Sequence, residues 1–346
     1  MSLHKLSNPP NPWRSEHVEW LGEPPEAKLD VYVERSKSIL SENDSPDIGF
    51  RWSVNPYRGC FHACAYCYAR PTHQYLDFGA GTDFERKLVV KINAPELLRA
   101  AFRKPSWRGE TAVFSGVTDC YQPLEASYGL TRSCLEVCAE FRNPVSLITK
   151  GALVRRDLDV LSRLHAEASA HVCVSLAFAD AELSRALEPN TPAPRARLEA
   201  LRALSAAGIP TGVAVAPVIP GVNDAQVAEV LGLAREAGAT TAFMTLLRLP
   251  AEVEPVFFER LERALPGRVK KVEHALREMR GGELYRGGFH ERMKGRGARW
   301  EAIARLFELS CRRLGMNARL ERDFGNEASA RRSTFRRPGQ TPSLFE

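Results

Sequence analysis

The sequence predicts an α/β fold: a parallel sheet of six strands curved into a partial barrel, helices outside it, and a helical flank at its C-terminal side. Three observations predict it. Short apolar, β-rich runs recur at 111–116 (TAVFSG), 144–150 (PVSLITK), 171–177 (HVCVSLA), 210–219 (PTGVAVAPVI) and 241–249 (TAFMTLLRL). Stretches of helical periodicity separate each run from the next. Gly208 and Gly238 stand where C-terminal caps of two such helices belong. Strand, helix, strand at this regularity means βαβ units, whose parallel pairing and right-handed crossovers put the helices on the faces of the sheet.

Taken in order, residues 1–45 are rich in Pro, Ser and charge without a sustained period, and read as an extended or partly disordered arm. A first strand at 50–55 (FRWSVN) brings the count to six, short of the eight of a closed barrel of this kind. The intervening helices are expected at 95–102, 130–142, 157–168, 195–207, 225–237 and 255–265. A Pro/Gly-defined turn at 216–224 offers Asn223 or Asp224 as a helix cap. The core therefore spans 46–265, a helical flank with a long helix at 298–314 spans 266–324, and a basic, disordered tail occupies 325–346.

The chain has 346 residues, 44% apolar and 26% charged, enough for a large core and incompatible with general disorder. It has no run of 18 uncharged apolar residues, and its first residues lack the apolar stretch of a signal peptide. The reading is a cytoplasmic protein without a membrane partner. Net charge is +6, unevenly placed: 268–338 carries 19 basic and nine acidic side chains, an asymmetry that can attract nucleic acid. Eight cysteines in a reducing compartment do not suggest a disulfide framework, so their spacing decides what they do.

The most informative stretch is 55–70, NPYRGCFHACAYCYAR, which sets Cys60, Cys64 and Cys67 in a C-x3-C-x2-C pattern. A compact loop of this kind can aim three thiolates at one point, and Gly59 relaxes the backbone where the chain turns into it. Structural zinc wants four protein ligands, and no second cysteine pair supplies them; His62, His73 and Cys120 are all candidates for a fourth. Three ligands favour a [4Fe-4S] cluster with one iron open to a substrate.

At this point the residues resemble a family. The C-x3-C-x-aromatic-C pattern, completed by Tyr66 after the first strand of a βα array, looks like the radical S-adenosylmethionine (radical SAM) superfamily. The resemblance implies a partial (β/α)6 barrel, a [4Fe-4S] cluster whose open iron is chelated by SAM, and reductive cleavage of SAM to a 5′-deoxyadenosyl radical. It also implies an external one-electron donor such as flavodoxin or ferredoxin.

Working residues of βα barrels gather at the C-terminal ends of strands. There the family carries a Gly-Gly-Glu-like segment for the SAM amino group, and Ser115, Gly116 and Thr118 occupy its position. By the same resemblance Ser175 meets the ribose, Arg195 the SAM carboxylate and Val218 the adenine. The CAYCYAR, TDCYQPLE and HERMKGRG segments resemble the spore photoproduct lyase-related group, in which a cysteine and tyrosines serve catalysis. Cys120, at the expected substrate mouth, and Tyr66 and Tyr68 are the corresponding candidates, although Cys120 is offset from the place expected for that donor. A radical SAM enzyme of undefined substrate is thus the leading reading, with a DNA-repair lyase and a non-catalytic iron-sulfur or zinc module as alternatives. Cys134, Cys138, Cys173 and Cys311 read as core residues.

Overall fold

The structure is a computed structural model that describes residues 28–318 and 333–339. Its strands are β1 (Asp30–Glu34), β2 (Leu40–Glu42), β3 (Trp52–Val54), β4 (Tyr57–Arg58), β5 (Lys87–Lys91), β6 (Ala112–Phe114), β7 (Val145–Thr149), β8 (Ala170–Ser175), β9 (Thr211–Val218) and β10 (Thr241–Leu246). The main sheet runs β10-β9-β8-β7-β6-β3-β2. Every neighbouring pair is parallel except β2 with β3, so the six expected strands are the six parallel ones. In β8 only His171 escapes full burial, the near-continuous apolar character of a parallel strand covered on both faces.

The helices are α1 (Thr82–Arg86), α2 (Ala94–Arg103), α3 (Leu124–Tyr128), α4 (Leu130–Glu140), α5 (Leu158–Glu167), α6 (Ala181–Leu187), α7 (Pro194–Ala206), α8 (Val227–Glu236), α9 (Val253–Ala264), α10 (Val269–Met279) and α11 (Gly297–Arg313). Gly208 (φ +76°) and Gly238 (φ +101°) end α7 and α8 in the left-handed region, where a side chain would be strained. Cys134, Cys138, Cys173 and Cys311 are buried in the core. Trp300, Ile303 and Phe307 bury one face of α11, which packs against α8 and α10.

Three expectations need correction. The arm is extended at 30–42 but built into sheets: β1 pairs in parallel with β5, which pairs with β4 in a second, three-stranded sheet. β1 hides its nature because Val31, Tyr32 and Val33 are all exposed, leaving no alternation to read. Of the tail, 333–339 is docked: Phe335 packs on Phe102 and Phe141, and Arg337 donates to the carbonyls of Lys104 and Trp107. Residues 1–27 of the arm and 325–332 and 340–346 of the tail lie outside the described residues. Finally, Asn223 and Asp224 close their own turn, accepting from the amides of Ile219 and Gly221, instead of capping α8.

Candidate cluster and cofactor site

The loop that follows β4 carries Cys60, Cys64 and Cys67, all free thiols, the first two buried and the third nearly so. Gly59 enters it at φ +70°, and a Cβ there would stand 2.9 Å from both Leu88 Cδ2 and the Phe84 carbonyl. The loop's carbonyls from Gly59 to Cys64 are all engaged, as those of a buried irregular segment are expected to be. The Gly59 carbonyl accepts from Thr118 Oγ1 (2.6 Å) and Gln122 Nε2 (3.2 Å), and that of Cys60 from the Ala63 amide. The carbonyls of Phe61 and His62 accept from the side chain and amide of Asn190. Arg260 donates to the Ala63 carbonyl and Arg70 to that of Cys64. Glu85 pairs with both arginines, so a buried Arg-Glu-Arg triad fixes the loop from beneath.

Two buried carboxylates tie the loop to the strand ends. Asp119 accepts from Thr149 Oγ1 (2.6 Å) and the Lys150 amide (2.7 Å), and stands 3.4 Å from His62 Nδ1. Burial alone would raise its pKa, but the facing His62 and these hydrogen bonds outweigh burial and hold it well below the usual carboxylate range. Glu188 pairs with buried Arg197 and accepts from Tyr66 Oη and Ser184 Oγ (3.2 Å). Burial again opposes ionisation, and the Arg197 and Lys150 charges overcome it. Lys150 therefore brings a cation to the end of β7, beside Cys64 and Glu188 and 5.7 Å from the centre of the Tyr66 ring.

The other candidates divide. Ser115 (φ +74°) accepts from the Cys120 amide, Gly116 offers its carbonyl to Tyr68 Oη at 2.8 Å, and Thr118 braces the loop. Ser175 closes β8 and Val218 closes β9, both buried. Tyr66 is a buried partner of Glu188, whereas Tyr68 is half-exposed beneath the Arg248 guanidinium. Two placements correct the sequence reading. Arg195 is 90% exposed and pairs with Glu199 one turn along α7, so its helix faces it to solvent, and the inward cation is Arg197. Cys120 is fully buried and does not line an open mouth; its carbonyl accepts from Thr131 Oγ1. His73 is likewise taken, its Nε2 bonded to the Lys87 carbonyl at 2.8 Å, and burial pushes its pKa down to about 4. Sequence reasoning missed Arg70, Glu85, Gln122, Glu188 with Arg197, and Arg260 as loop supports. Arg70, in the YAR that follows the last cysteine, and Gln122, within the TDCYQPLE segment, had a nearby signal.

Among the described residues no three His, Cys, Asp or Glu side chains converge as ligands of a single metal ion must. The three thiols share one loop and lie near enough for Cys64 and Cys67 to act on Cys60. That arrangement suits a cluster, in which each thiolate has its own iron. The donor set, three cysteines and no carboxylate or imidazole among them, also suits iron-sulfur chemistry. A parallel α/β sheet with a three-thiol loop at the C-terminal ends of its strands is the kind of scaffold on which an iron-sulfur cluster can be held.

Residues 54–234 match the sequence profile of the radical SAM superfamily. The chain belongs to the radical SAM superfamily, whose cofactors are a [4Fe-4S] cluster and SAM and whose members generally need an external electron donor. An uncharacterized protein of Mycobacterium tuberculosis is 43% identical over 255 residues, 73% of this chain and 72% of that protein. One from Methanocaldococcus jannaschii is 29% identical over 200 residues, 58% of this chain and 72% of that protein. Among solved structures, spore photoproduct lyase complexed with dinucleoside spore photoproduct superposes with a TM-score of 0.60 at 15% identity, covering 83% of this chain and 80% of that one. A mutant of the same lyase gives 0.61 at 15% identity with 88% of both chains covered. These likenesses show the fold. No described helix is long and apolar enough to cross a membrane.

Proposed function

We propose that Cys60, Cys64 and Cys67 each hold one iron of a [4Fe-4S] cluster, that SAM takes the fourth iron, and that the protein begins radical chemistry on an organic substrate at the C-terminal ends of β6–β9. The supporting observation is the loop itself: three thiols on a segment whose carbonyls from 59 to 64 are all engaged, preorganised by a buried charge triad. When bound, the cluster supplies the electron that cleaves SAM to methionine and a 5′-deoxyadenosyl radical.

The chain's own part is positioning. Lys150, held charged beside Cys64 and Glu188, replaces Arg195 as the cation for the SAM carboxylate. With SAM bound, the Ser115–Gly116 backbone would receive the amino group, Ser175 would meet the ribose, and Val218 with Ile219 would supply an apolar wall for the adenine. Thr118 acts by holding Gly59, and Tyr66 by holding Glu188. Tyr68, half-exposed against Gly116, is the tyrosine placed to meet substrate. The DNA-repair lyase reading draws on the resemblance of three sequence segments and on the shared fold, and the enclosed Cys120 thiol does not favour it. Anaerobic reconstitution with iron and sulfide, followed by 5′-deoxyadenosine assays with damaged DNA, bulk tRNA and small molecules, tests the reading. Cys64→Ala should abolish SAM cleavage under dithionite; a variant that still cleaves SAM overturns the assignment.

A further inference from the structure

Between the edge strand β2 and the small β1-β5-β4 sheet lies a cleft of about 490 Å³, lined by Glu34, Arg35, Ser36, Lys37, Arg58 and Lys91 among others. Four of these six are cations and one is a carboxylate. Glu34 already accepts from Ser36 Oγ, and among the described residues none of the four cationic head groups has an ion-pair or hydrogen-bond partner. Tyr57 and Arg58 alternate along β4: Tyr57 turns inward to Glu125 at 2.5 Å, and Arg58 turns to the cleft. Lys91, opposite Glu34 in the β1–β5 register, is only 7% exposed. Its stem is enclosed and its charge faces the cleft, where burial disfavours the ammonium unless a counter-charge meets it.

We propose that this cleft binds the phosphate groups of a phosphorylated ligand, with Arg58 and Lys91 at its floor and Arg35 and Lys37 at its rim. A net excess of three positive charges calls for a multivalent anion. Guanidinium forks and ammonium point charges together match the oxygens of linked phosphates. The space exceeds that of a single phosphate group. Burial, and then the neighbouring Arg58, push the Lys91 amine down to about 8 against the pull of Glu34, the condition that an incoming anion would relieve. The ligand is either a free nucleotide-like phosphate ester or the backbone of a nucleic-acid strand. None of the three cluster cysteines lines this cleft, although Arg58 ends the strand that leads into their loop, and the proposal does not rest on the radical SAM reading.

The test uses the full-length, cluster-reconstituted protein titrated with sodium pyrophosphate, read by calorimetry and by thermal shift. Saturable binding with a Kd below about 1 mM is expected. Lys91→Met keeps the buried stem and removes the charge; it should leave ligand-free Tm unchanged or higher while weakening pyrophosphate about tenfold or more. Should that variant fold poorly, the exposed pair Arg35→Gln/Lys37→Gln should weaken binding by a similar factor. Arg103→Gln, at the end of α2 and outside the cleft lining, should bind as the wild type does. Competition by a mononucleoside triphosphate but not by a short single-stranded oligonucleotide identifies a free ligand; the reverse identifies a strand. Absence of binding at about 10 mM pyrophosphate, wild-type affinity in both the Lys91 and the rim variants, or capture of an acidic protein with pyrophosphate silent overturns the proposal.

Discussion

Gly59 shows how much a single residue can decide at this site. Its positive φ and the two 2.9 Å approaches leave no room for a methyl group, so Gly59→Ala should cost about 1–3 kcal/mol, read as a lower urea midpoint. An unchanged midpoint would mean that the loop is laxer than its hydrogen bonds imply. Lys91 gives a second measurement at this scale. Its amine is depressed from 10.5 to about 8 in the folded chain, so between those values the unfolded chain carries the proton and the native one does not. Stability conferred through Lys91 therefore rises with pH across that window and is lowest below it, by about 3 kcal/mol at most. Thiols with raised pKa values oppose this trend in the same window, so the quantity to measure is wild type minus Lys91→Met. A pH-independent difference would contradict the burial of the amine.

At the scale of elements, the support of the cluster loop comes from pieces remote in sequence: Glu85 on α1, Arg197 on α7 and Arg260 on α9. Arg260→Ala removes one cation from a buried triad and frees the Ala63 carbonyl. The expected result is a loss of about 3–5 kcal/mol and faster iron release from reconstituted protein, with far-ultraviolet circular dichroism retained. Iron release at the wild-type rate would show that Arg70 suffices. The six parallel strands were legible because each rests on an apolar run in a βα array; five fall within the predicted runs, and β8 starts one residue before its run. β1, β2 and β4 were not, since two to five residues with exposed or one-sided burial carry no period, and β5 was not because its apolar centre of three residues is bracketed by Lys87 and Lys91. The three cysteines were legible as a motif. Their supports were not, because a buried arginine is written in the sequence with the same letter as a surface one: Arg195 was chosen where Arg197 turns inward.

For the whole molecule, the parallel sheet sorts its tasks by strand direction. The cysteine loop, Lys150 and Ser175 lie toward the C-terminal ends of the strands, while Trp107 and Phe141 precede β6 and β7 at the opposite ends. There Phe335 stacks on Phe141 and meets Phe102, and the Arg336 amide donates to the Phe141 carbonyl. Removing residues 333–346 uncovers those rings and should lower stability by about 1–3 kcal/mol, measured as a fall in Tm, while SAM cleavage by the reconstituted enzyme persists. Loss of cleavage on truncation would tie the tail to the chemistry. The same docking has a practical reach. A surface-immobilisation handle joined after Gly339 leaves the body of the protein from the side away from the thiol loop, so a chip loaded that way presents its cofactor end to the solution. Electron carriers and trial substrates could then be flowed across one oriented layer and ranked side by side.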